Sequence, residues 1–358
     1  MSKDCCSAPS AKASDASPCC CEQPPTVTAE WTRSDRLGAI KCRVSNRFRM
    51  NYRVTPGLHK LGSPGPDSLV FVSANYKLSF DVLRRGLAGL DAWILVLDTK
   101  GINVWCAAGK GTFGTAELVR RITESRLAET VTHRRVIVPQ LGAPNVSAAR
   151  VRKETGFAVS FGPVEARDIR AYVQAGLKAT PAMRVKQFPV RERLELTPME
   201  VVPSARKLAL VIAVLFVVFG LGAQGILFDD ALPGTIAATI AGLAAVLAGA
   251  FVTPMALPWI PFRSFALKGV LASLAVVGAI LGSIPVARTL PPALLAASVL
   301  FAVTVGSYIA VNFTGCTTFT SISGVKKELR IAVPAYLVGL GVSAVLVVVY
   351  KLQQWGVL

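Results

Sequence analysis

A lone cysteine, Cys106, lies in the segment Asp98-Thr99-Lys100-Gly101-Ile102-Asn103-Val104-Trp105-Cys106-Ala107-Ala108-Gly109-Lys110-Gly111-Thr112, whose residue types suit metal ligation better than acid–base work. Asn103 is a good helix N-cap, Val104 to Ala108 can form a turn or more of helix, and Gly109 and Gly111 can end it. Cys106 then sits at the third helical position, near unpaired backbone N–H groups and the positive end of the helix dipole, with Lys110 four residues on. Such surroundings suit a sulfur that binds a soft metal. The segment is not a P-loop, because Gly101 to Gly109 is the wrong interval and Gly111 follows Lys110 where Ser or Thr should hold magnesium. It also lacks GxGxxG. A plainer alternative stands beside the metal reading, in which Cys106 is a small buried residue next to a core Trp105.

Five further cysteines, Cys5, Cys6, Cys19, Cys20 and Cys21, crowd a Ser/Ala/Pro tail, while Cys42 and Cys316 stand alone. The tail has no CxxC spacing, so a tetrahedral zinc site is a poor fit, and its adjacent thiols suit a two-coordinate soft ion. In a reducing compartment the pattern argues for thiols or metal binding over disulfides. The two histidines, His59 and His133, neighbour no acidic constellation in sequence and read as structural or surface residues.

The elements that must carry Cys106 alternate. Leu69 to Ala74 reads as a buried strand, Ser79 to Leu90 as a helix and Ala92 to Leu97 as a second strand. After the Cys106 segment come a helix from Thr115 to about Thr130, a strand from Arg135 to Val138, a helix near Ser147 to Glu154, a strand near Ala158 to Phe161 and a helix from Glu165 to Ala175. Right-handed crossovers then give an α/β fold with a doubly wound, mostly parallel sheet. Ligands of such sheets bind outside the carboxyl ends of the strands, so the informative loops follow Ala74, Leu97, Val138 and Phe161.

Composition splits the chain near residue 205. Of 39 Lys+Arg and 21 Asp+Glu, 30 and 18 fall in the first 204 residues, which carry +12 of the net +18. With 52% hydrophobic residues the chain is neither disordered nor a basic nucleic-acid arm, and it has no nucleic-acid-binding motif. Leu208 to Leu227, Leu232 to Val252, Gly269 to Val286, Pro291 to Val311 and Ile331 to Tyr350 are each about as long as the ~18–20 apolar residues that cross a bilayer core, so an all-α five-helix transmembrane domain follows the α/β domain. Arg206, Lys207, Arg263, Lys268, Lys326, Lys327 and Arg330 flank the spans on one side, and Asp229, Asp230 and Arg288 on the other. This places the N-terminal half in the cytoplasm and the C-terminus outside, with Lys351 dissenting. Residues 1–25 have no apolar signal core, so span one is expected to direct insertion. Gly222, Gly242, Gly249, Gly269, Gly278 and Gly282 are expected to permit close helix packing. The expected division is a flexible Cys-containing tail and lead-in at 1–47, an α/β domain at 48–185, a linker at 186–205 and the transmembrane domain at 206–358.

The string Asn103-Val104-Trp105-Cys106-Ala107-Ala108-Gly109-Lys110 resembles the signature of the corrinoid protein family of anaerobic mercury methylation, HgcA. The resemblance extends to Val72 through Asp81, Asp91 through Leu97, His133-Arg134-Arg135, Pro139 through Ala143, Phe161-Gly162-Pro163, Asn312 through Gly315 and Ser323-Gly324-Val325, or roughly residues 48–350. It implies a corrinoid-binding domain at 48–185 that holds a base-off corrinoid, with the Asn103–Lys110 helix capping the lower face of the ring and Cys106 ligating cobalt. A cysteine sulfur is a soft, strongly donating axial ligand. It would favour passing a methyl group from the methyl-Co(III) corrinoid to Hg(II), which yields methylmercury in the inner membrane of an anaerobe. Implied partners are a ferredoxin-like iron–sulfur protein that supplies electrons and a methyltetrahydrofolate-dependent methyl donor. Candidate cofactor contacts are Asn75, Thr99, Asn103, Val104, Trp105, Ala107, Ala108, Gly109, Lys110, Thr112, Gln140, Gly142 and Gly162, each of which also suits ordinary loop capping. Against this family the tail thiols Cys5, Cys6, Cys19, Cys20 and Cys21 become candidates for Hg(II) capture, and the basic half suits an anionic leaflet or an acidic partner. Two other readings remain, a corrinoid methyl carrier of the acetyl-CoA pathway and a non-enzymatic membrane protein that sequesters heavy metals.

Overall fold

The computed structural model describes residues 23–222, 225–226, 228–284, 289–316, 320 and 322–358. The tail cysteines Cys5, Cys6, Cys19, Cys20 and Cys21, and Arg288, lie outside the described residues.

Six strands form one sheet: β1 (Thr26–Val27), β2 (Gly57–Leu61), β3 (Val70–Ala74), β4 (Ala92–Leu97), β5 (Arg135–Pro139) and β6 (Ala158–Gly162), in the order β1-β2-β4-β3-β5-β6. β3 is parallel to β4 and β5, and β5 to β6, while β2 runs antiparallel to β4 with Gly57 opposite Val96. The sheet is therefore doubly wound and mostly parallel. Both of its faces are covered, and β4 shows why: Trp93, Leu95 and Leu97 enter one core while Ala92, Ile94 and Val96 enter the other. That is the period-two pattern of a strand buried on both sides.

Around the sheet lie α1 (Arg33–Val44), α2 (Asn46–Asn51), α3 (Lys77–Gly86), α4 (Val104–Lys110), α5 (Thr115–Glu124), α6 (Leu127–Thr130), α7 (Ala148–Thr155) and α8 (Ile169–Gln174). Phe80 of α3 and Ile169 and Tyr172 of α8 fill one layer, and Ala107, Leu118, Ile122, Leu127 and Val151 of α4 to α7 fill the other. The helix expected as one piece from Thr115 to Thr130 is broken. The Ser125 hydroxyl turns back onto the Arg121 carbonyl (2.6 Å), Arg126 takes φ +47°, and Leu127 drops into the core.

Residues 23–47, expected as a lead-in, carry β1 and α1. A Thr32–Asp35 capping box starts α1, and Ser45 ends it and caps α2. Buried Asp35 binds Lys77 (2.8 Å) and Arg84 (2.7 Å), and Arg84 also bonds Asp81 and the Thr28 and Glu30 carbonyls. This clasp locks α1 onto α3. Burial raises the Asp35 pKa, but its hydrogen bonds from Lys77, Thr32 and Arg84 win and hold the carboxyl well below the carboxylate range. The sequence reading passed over α1 because its apolar residues are few and its buried face is partly charged.

Among the described residues five helices are long and apolar enough to cross a membrane: Val190–Gly220, Ala231–Ala256, Phe265–Ser283, Pro292–Asn312 and Ser323–Gln354. They are built from α9 (Val190–Leu196) and α10 (Pro198–Gly220), then α11 (Phe228–Val246), which passes through a π turn at Leu247–Val252 into α12 (Thr253–Ala256), then α13 (Phe265–Ser283), α14 (Pro292–Asn312) and α15 (Ile322–Gln354). The segment expected as a linker is thus largely helical. Gly249 lies where a β-carbon would collide with the Gly306 carbonyl, and one on Gly269 would stand 2.7 Å from Ser307 Cα, so these two glycines do admit a neighbouring helix. Gly278 and Gly282 face open space instead. Lys351, the dissenting charge, is buried, and its ammonium donates to the Phe219 carbonyl at the end of α10 (2.8 Å). It thus caps the carboxyl end of α10.

Candidate functional site

The strand order reverses at β3, with all three strands parallel: the chain leaves β3 for β4 on one side and returns past it to β5 on the other. In an open sheet the crevice beyond the carboxyl ends of such strands is the expected ligand site. α4 packs against the end of β3 and against the 3-10 turn Gln140–Asn145 that follows β5, so it straddles this point.

Asn75, the first residue after β3, organises the loop that leads to α4. Its buried Oδ1 accepts from the N–H groups of Thr99 (3.1 Å) and Gly101 (2.9 Å), and its Nδ2 donates to Asp98 Oδ1 (3.1 Å). The Thr99 hydroxyl lies 2.9 Å from Asn75 Oδ1 and 2.6 Å from the Ile102 carbonyl, and donates to one at a time. Asp98 also accepts from the N–H (3.1 Å) and ammonium (2.9 Å) of Lys100. Burial opposes its charge, yet the Lys100 hydrogen bonds, aided by Arg121, hold the carboxyl below its usual value. Gly101 turns the chain at φ +74°, where a β-carbon would stand 2.6 Å from Arg53 Nε and 3.0 Å from the Met50 carbonyl.

The loop delivers Asn103 as N-cap, its side chain accepting from the Cys106 N–H at 2.8 Å. Gly111 closes α4 in the left-handed region at φ +85°. Ala107, with no exposure, packs with Phe113 in the core, and Ala108 is buried beside it. Their small size thus lets α4 approach the protein. The opposite side presents Trp105 (38% exposed), Gly109 and Lys110 to solvent, with Cys106 half-buried at the border. The alternative of a buried cysteine beside a core tryptophan does not describe this chain.

The other candidates divide. Val104 is partly buried against the core, and Thr112 turns back on Ala107, its N–H 3.0 Å from that carbonyl. Gly142 is buried where a β-carbon would collide with the Phe113 ring, and one on Gly162 would stand 2.9 Å from Ile137 Cγ2, so both are close-packing positions. Gln140 accepts from Arg184 (3.0 Å) at the edge of the crevice. Asn103, Trp105, Cys106, Gly109 and Lys110 therefore share the outward side of α4, while Asn75, Thr99, Ala107, Ala108 and Gly142 hold it in place. Both histidines bond backbone: His59 to the Thr55 carbonyl and His133 to that of Ser68, each at 2.9 Å. Sequence reasoning missed Asp98 and Glu117, whose Oε1 accepts the Asp98 N–H at 2.8 Å and so fixes the start of the loop. The position of Asp98 directly after a buried strand was the available signal. Among the described residues no three His, Cys, Asp or Glu converge as a metal cluster.

Known proteins resemble this region. Residues 46–173 match the CO dehydrogenase/acetyl-CoA synthase delta subunit (CdhD) family. The gamma subunit of the acetyl-CoA decarbonylase/synthase complex of Archaeoglobus fulgidus is 32% identical over 128 residues, which is 35% of this chain and 27% of that protein. The corresponding subunit of Methanopyrus kandleri is 31% identical over 124 residues, 34% of this chain and 26% of that protein. The large subunit of the corrinoid/iron–sulfur protein of Moorella thermoacetica is 28% identical over 127 residues, 35% of this chain and 28% of that protein. The chain spans about a quarter of the length of these relatives. The family match covers α2 through most of α8, and with it the whole neighbourhood of Cys106.

Proposed function

We propose that this chain is a membrane-anchored corrinoid protein that transfers a methyl group to Hg(II), as its resemblance to the mercury-methylating HgcA family implies. The observation that carries the proposal is the presentation of Cys106, half-exposed on a seven-residue helix whose N-cap holds its backbone and whose inner face is fixed over the sheet's reversal point. A corrinoid fits this donor set. Cys106 offers one soft sulfur, and no metal cluster lies among the described residues, so the other ligands would have to come with the metal, as they do in a corrin ring. The likeness to a corrinoid/iron–sulfur protein subunit supports the same cofactor.

When bound, the corrinoid would supply the cobalt centre that accepts and releases the methyl group. Cys106 would hold the cobalt through its sulfur, a soft, electron-donating ligand. Asn103, Trp105, Gly109 and Lys110, exposed on the outward side of α4, would hold the corrinoid beside Cys106. Asn75, Thr99, Ala107, Ala108 and Gly142 act by fixing the height and tilt of that helix. Gln140 would complete the contacts at the crevice edge, while Val104, Thr112 and Gly162 pack within the fold and would act on the site only by supporting it. A ferredoxin-like iron–sulfur protein and a methyltetrahydrofolate-dependent donor serve as partners, and the tail cysteines Cys5, Cys6, Cys19, Cys20 and Cys21 capture Hg(II). The five apolar helices anchor the chain in the inner membrane, with the α/β region in the cytoplasm by the distribution of Lys and Arg.

The test is methylmercury yield from anaerobically purified protein loaded with methylcorrinoid and given Hg(II), the parent chain against Cys106→Ala at equal corrinoid occupancy. A yield above free methylcorrinoid that is lost in the variant is expected. The family match favours a second reading, a corrinoid methyl carrier like the acetyl-CoA decarbonylase/synthase subunits. Equal yields with and without the cysteine would select it.

A further inference from the structure

α1 has two unlike faces. Asp35, Gly38, Ala39 and Cys42 are buried against the α/β region. On the far side Leu37, Ile40 and Val44 are 57%, 58% and 39% exposed, an apolar stripe at helical spacing. Exposed Arg33, Arg36 and Lys41 lie on the same side of the helix, around the stripe. An apolar stripe edged with cations is the pattern of a helix that lies in the headgroup layer of an anionic bilayer.

Position decides between a bilayer and a protein as the occupant. α1 packs on α10, Arg43 pairs with Glu195 of α9 (2.8 Å), and Arg49 donates to the Met199 sulfur (3.5 Å), so the stripe is held at the root of the first apolar helix. α9 in turn is docked by buried Arg193, whose guanidinium donates to the Pro254 (3.1 Å) and Met255 (2.6 Å) carbonyls at the end of α12. Directly beyond that end Trp259 and Phe262 are exposed beside Arg263, as interfacial aromatic anchors are. One end of the helical bundle therefore carries the anchors and α1 together.

We infer that α1 is an interfacial helix that seats Leu37, Ile40 and Val44 in the anionic surface of the bilayer crossed by the five apolar helices. This rests on the membrane reading of those helices. It would give the α/β region a fixed seat on the membrane in addition to its covalent connection.

The test uses the full chain in nanodiscs of phosphatidylcholine and phosphatidylglycerol, with Ile40→Trp and, as a solvent-facing control on α7, Arg150→Trp. Emission gained over the parent chain should be lost for Ile40→Trp when the acyl chains are brominated and kept when iodide is added, with the reverse for Arg150→Trp. Loss of the parent chain's own tryptophan emission in brominated lipid reports that the bundle is inserted. With that loss present, an Ile40→Trp signal that iodide removes and brominated lipid spares overturns the inference, as does a signal spared by both, which would mean a protein cover. Absence of the parent loss overturns the membrane reading and the inference with it. Equal quenching of Ile40→Trp without phosphatidylglycerol overturns the anionic preference.

Discussion

Replacing Asn75 by alanine removes the acceptor that two buried N–H groups, those of Thr99 and Gly101, depend on. The Thr99 hydroxyl keeps the Ile102 carbonyl as its acceptor, so its loss is small. Each orphaned buried N–H costs about 1–3 kcal/mol, which puts the local cost near 3 kcal/mol, or roughly a hundredfold in the opening equilibrium of the loop. The loss falls on residues 98–111, because the sheet register and both cores do not involve the Asn75 side chain. Hydrogen exchange of the full chain, followed by mass spectrometry, should show those amides exchanging faster while peptides from α10 to α15 are unchanged. Asn75→Asp separates the acceptor role from general disturbance. It keeps Oδ1 but places a second carboxylate oxygen where Nδ2 now sits, 3.1 Å from Asp98. Two like charges raise the pair's pKa above its unfolded value, so the stability of this variant is present at low pH and lost as pH rises through the raised value. Its protection should therefore return on acidification, whereas that of Asn75→Ala should not. Unchanged exchange of 98–111 in Asn75→Ala would refute the claim that this side chain holds α4 in place.

Further outcomes follow from burial and packing. Burial lowers the His59 pKa below its ordinary 6.5, so its contribution is full above that value and is lost as pH falls through the lowered one, with a slope of up to about 1.4 kcal/mol per pH unit; denaturation midpoints measured between about pH 7.5 and about pH 5.5 should drop, and His59→Gln should flatten that dependence. Iodoacetamide should modify half-exposed Cys106 well before Cys42, which is buried and whose thiol burial pushes up, as read by peptide mapping of the native chain; equal rates would contradict the burial of α1 on the α/β region. Gly249→Leu should cost about 1–3 kcal/mol of bundle stability, because the Gly306 backbone cannot give way, while Gly278→Leu should leave the thermal midpoint near that of the parent.

The order of strands and helices from Val70 to Gln174 was legible because each strand is a short apolar run and each crossover an amphipathic segment. β4 matches its expected bounds at both ends, and α4 begins where Asn103 signalled it would. β1, β2, α1 and α9 were not legible. β2 lies between the two-residue β1 and β4 and has a histidine and a lysine in its five residues, and α1 is fixed by the Asp35–Lys77–Arg84 clasp, whose partners are about 40 to 50 residues apart in sequence. Local patterns cannot show a contact of that range. At the site, the sequence pattern located Asn103 as N-cap, Cys106 at the third helical position and Gly111 at the helix end, but could not divide inward from outward residues, because a seven-residue helix has too few turns to define an apolar face. Ala107 and Ala108, expected among the cofactor contacts, are buried, Ala107 in the protein's own core.

The same contacts connect the site to the helical region without relying on the covalent linker. Gly101, at the turn before α4, rests against Arg53 and the Met50 carbonyl at the end of α2. α2 and α1 share Ser45 as C-cap and N-cap, so the two helices form one elbow. α1 then packs on α10, and Arg43 reaches Glu195. From the loop before Asn103 to the root of the first apolar helix, every step is a packed contact between elements with fixed ends. The loop that carries α4 is thus braced against the root of the first apolar helix by packed contacts as well as by the chain itself.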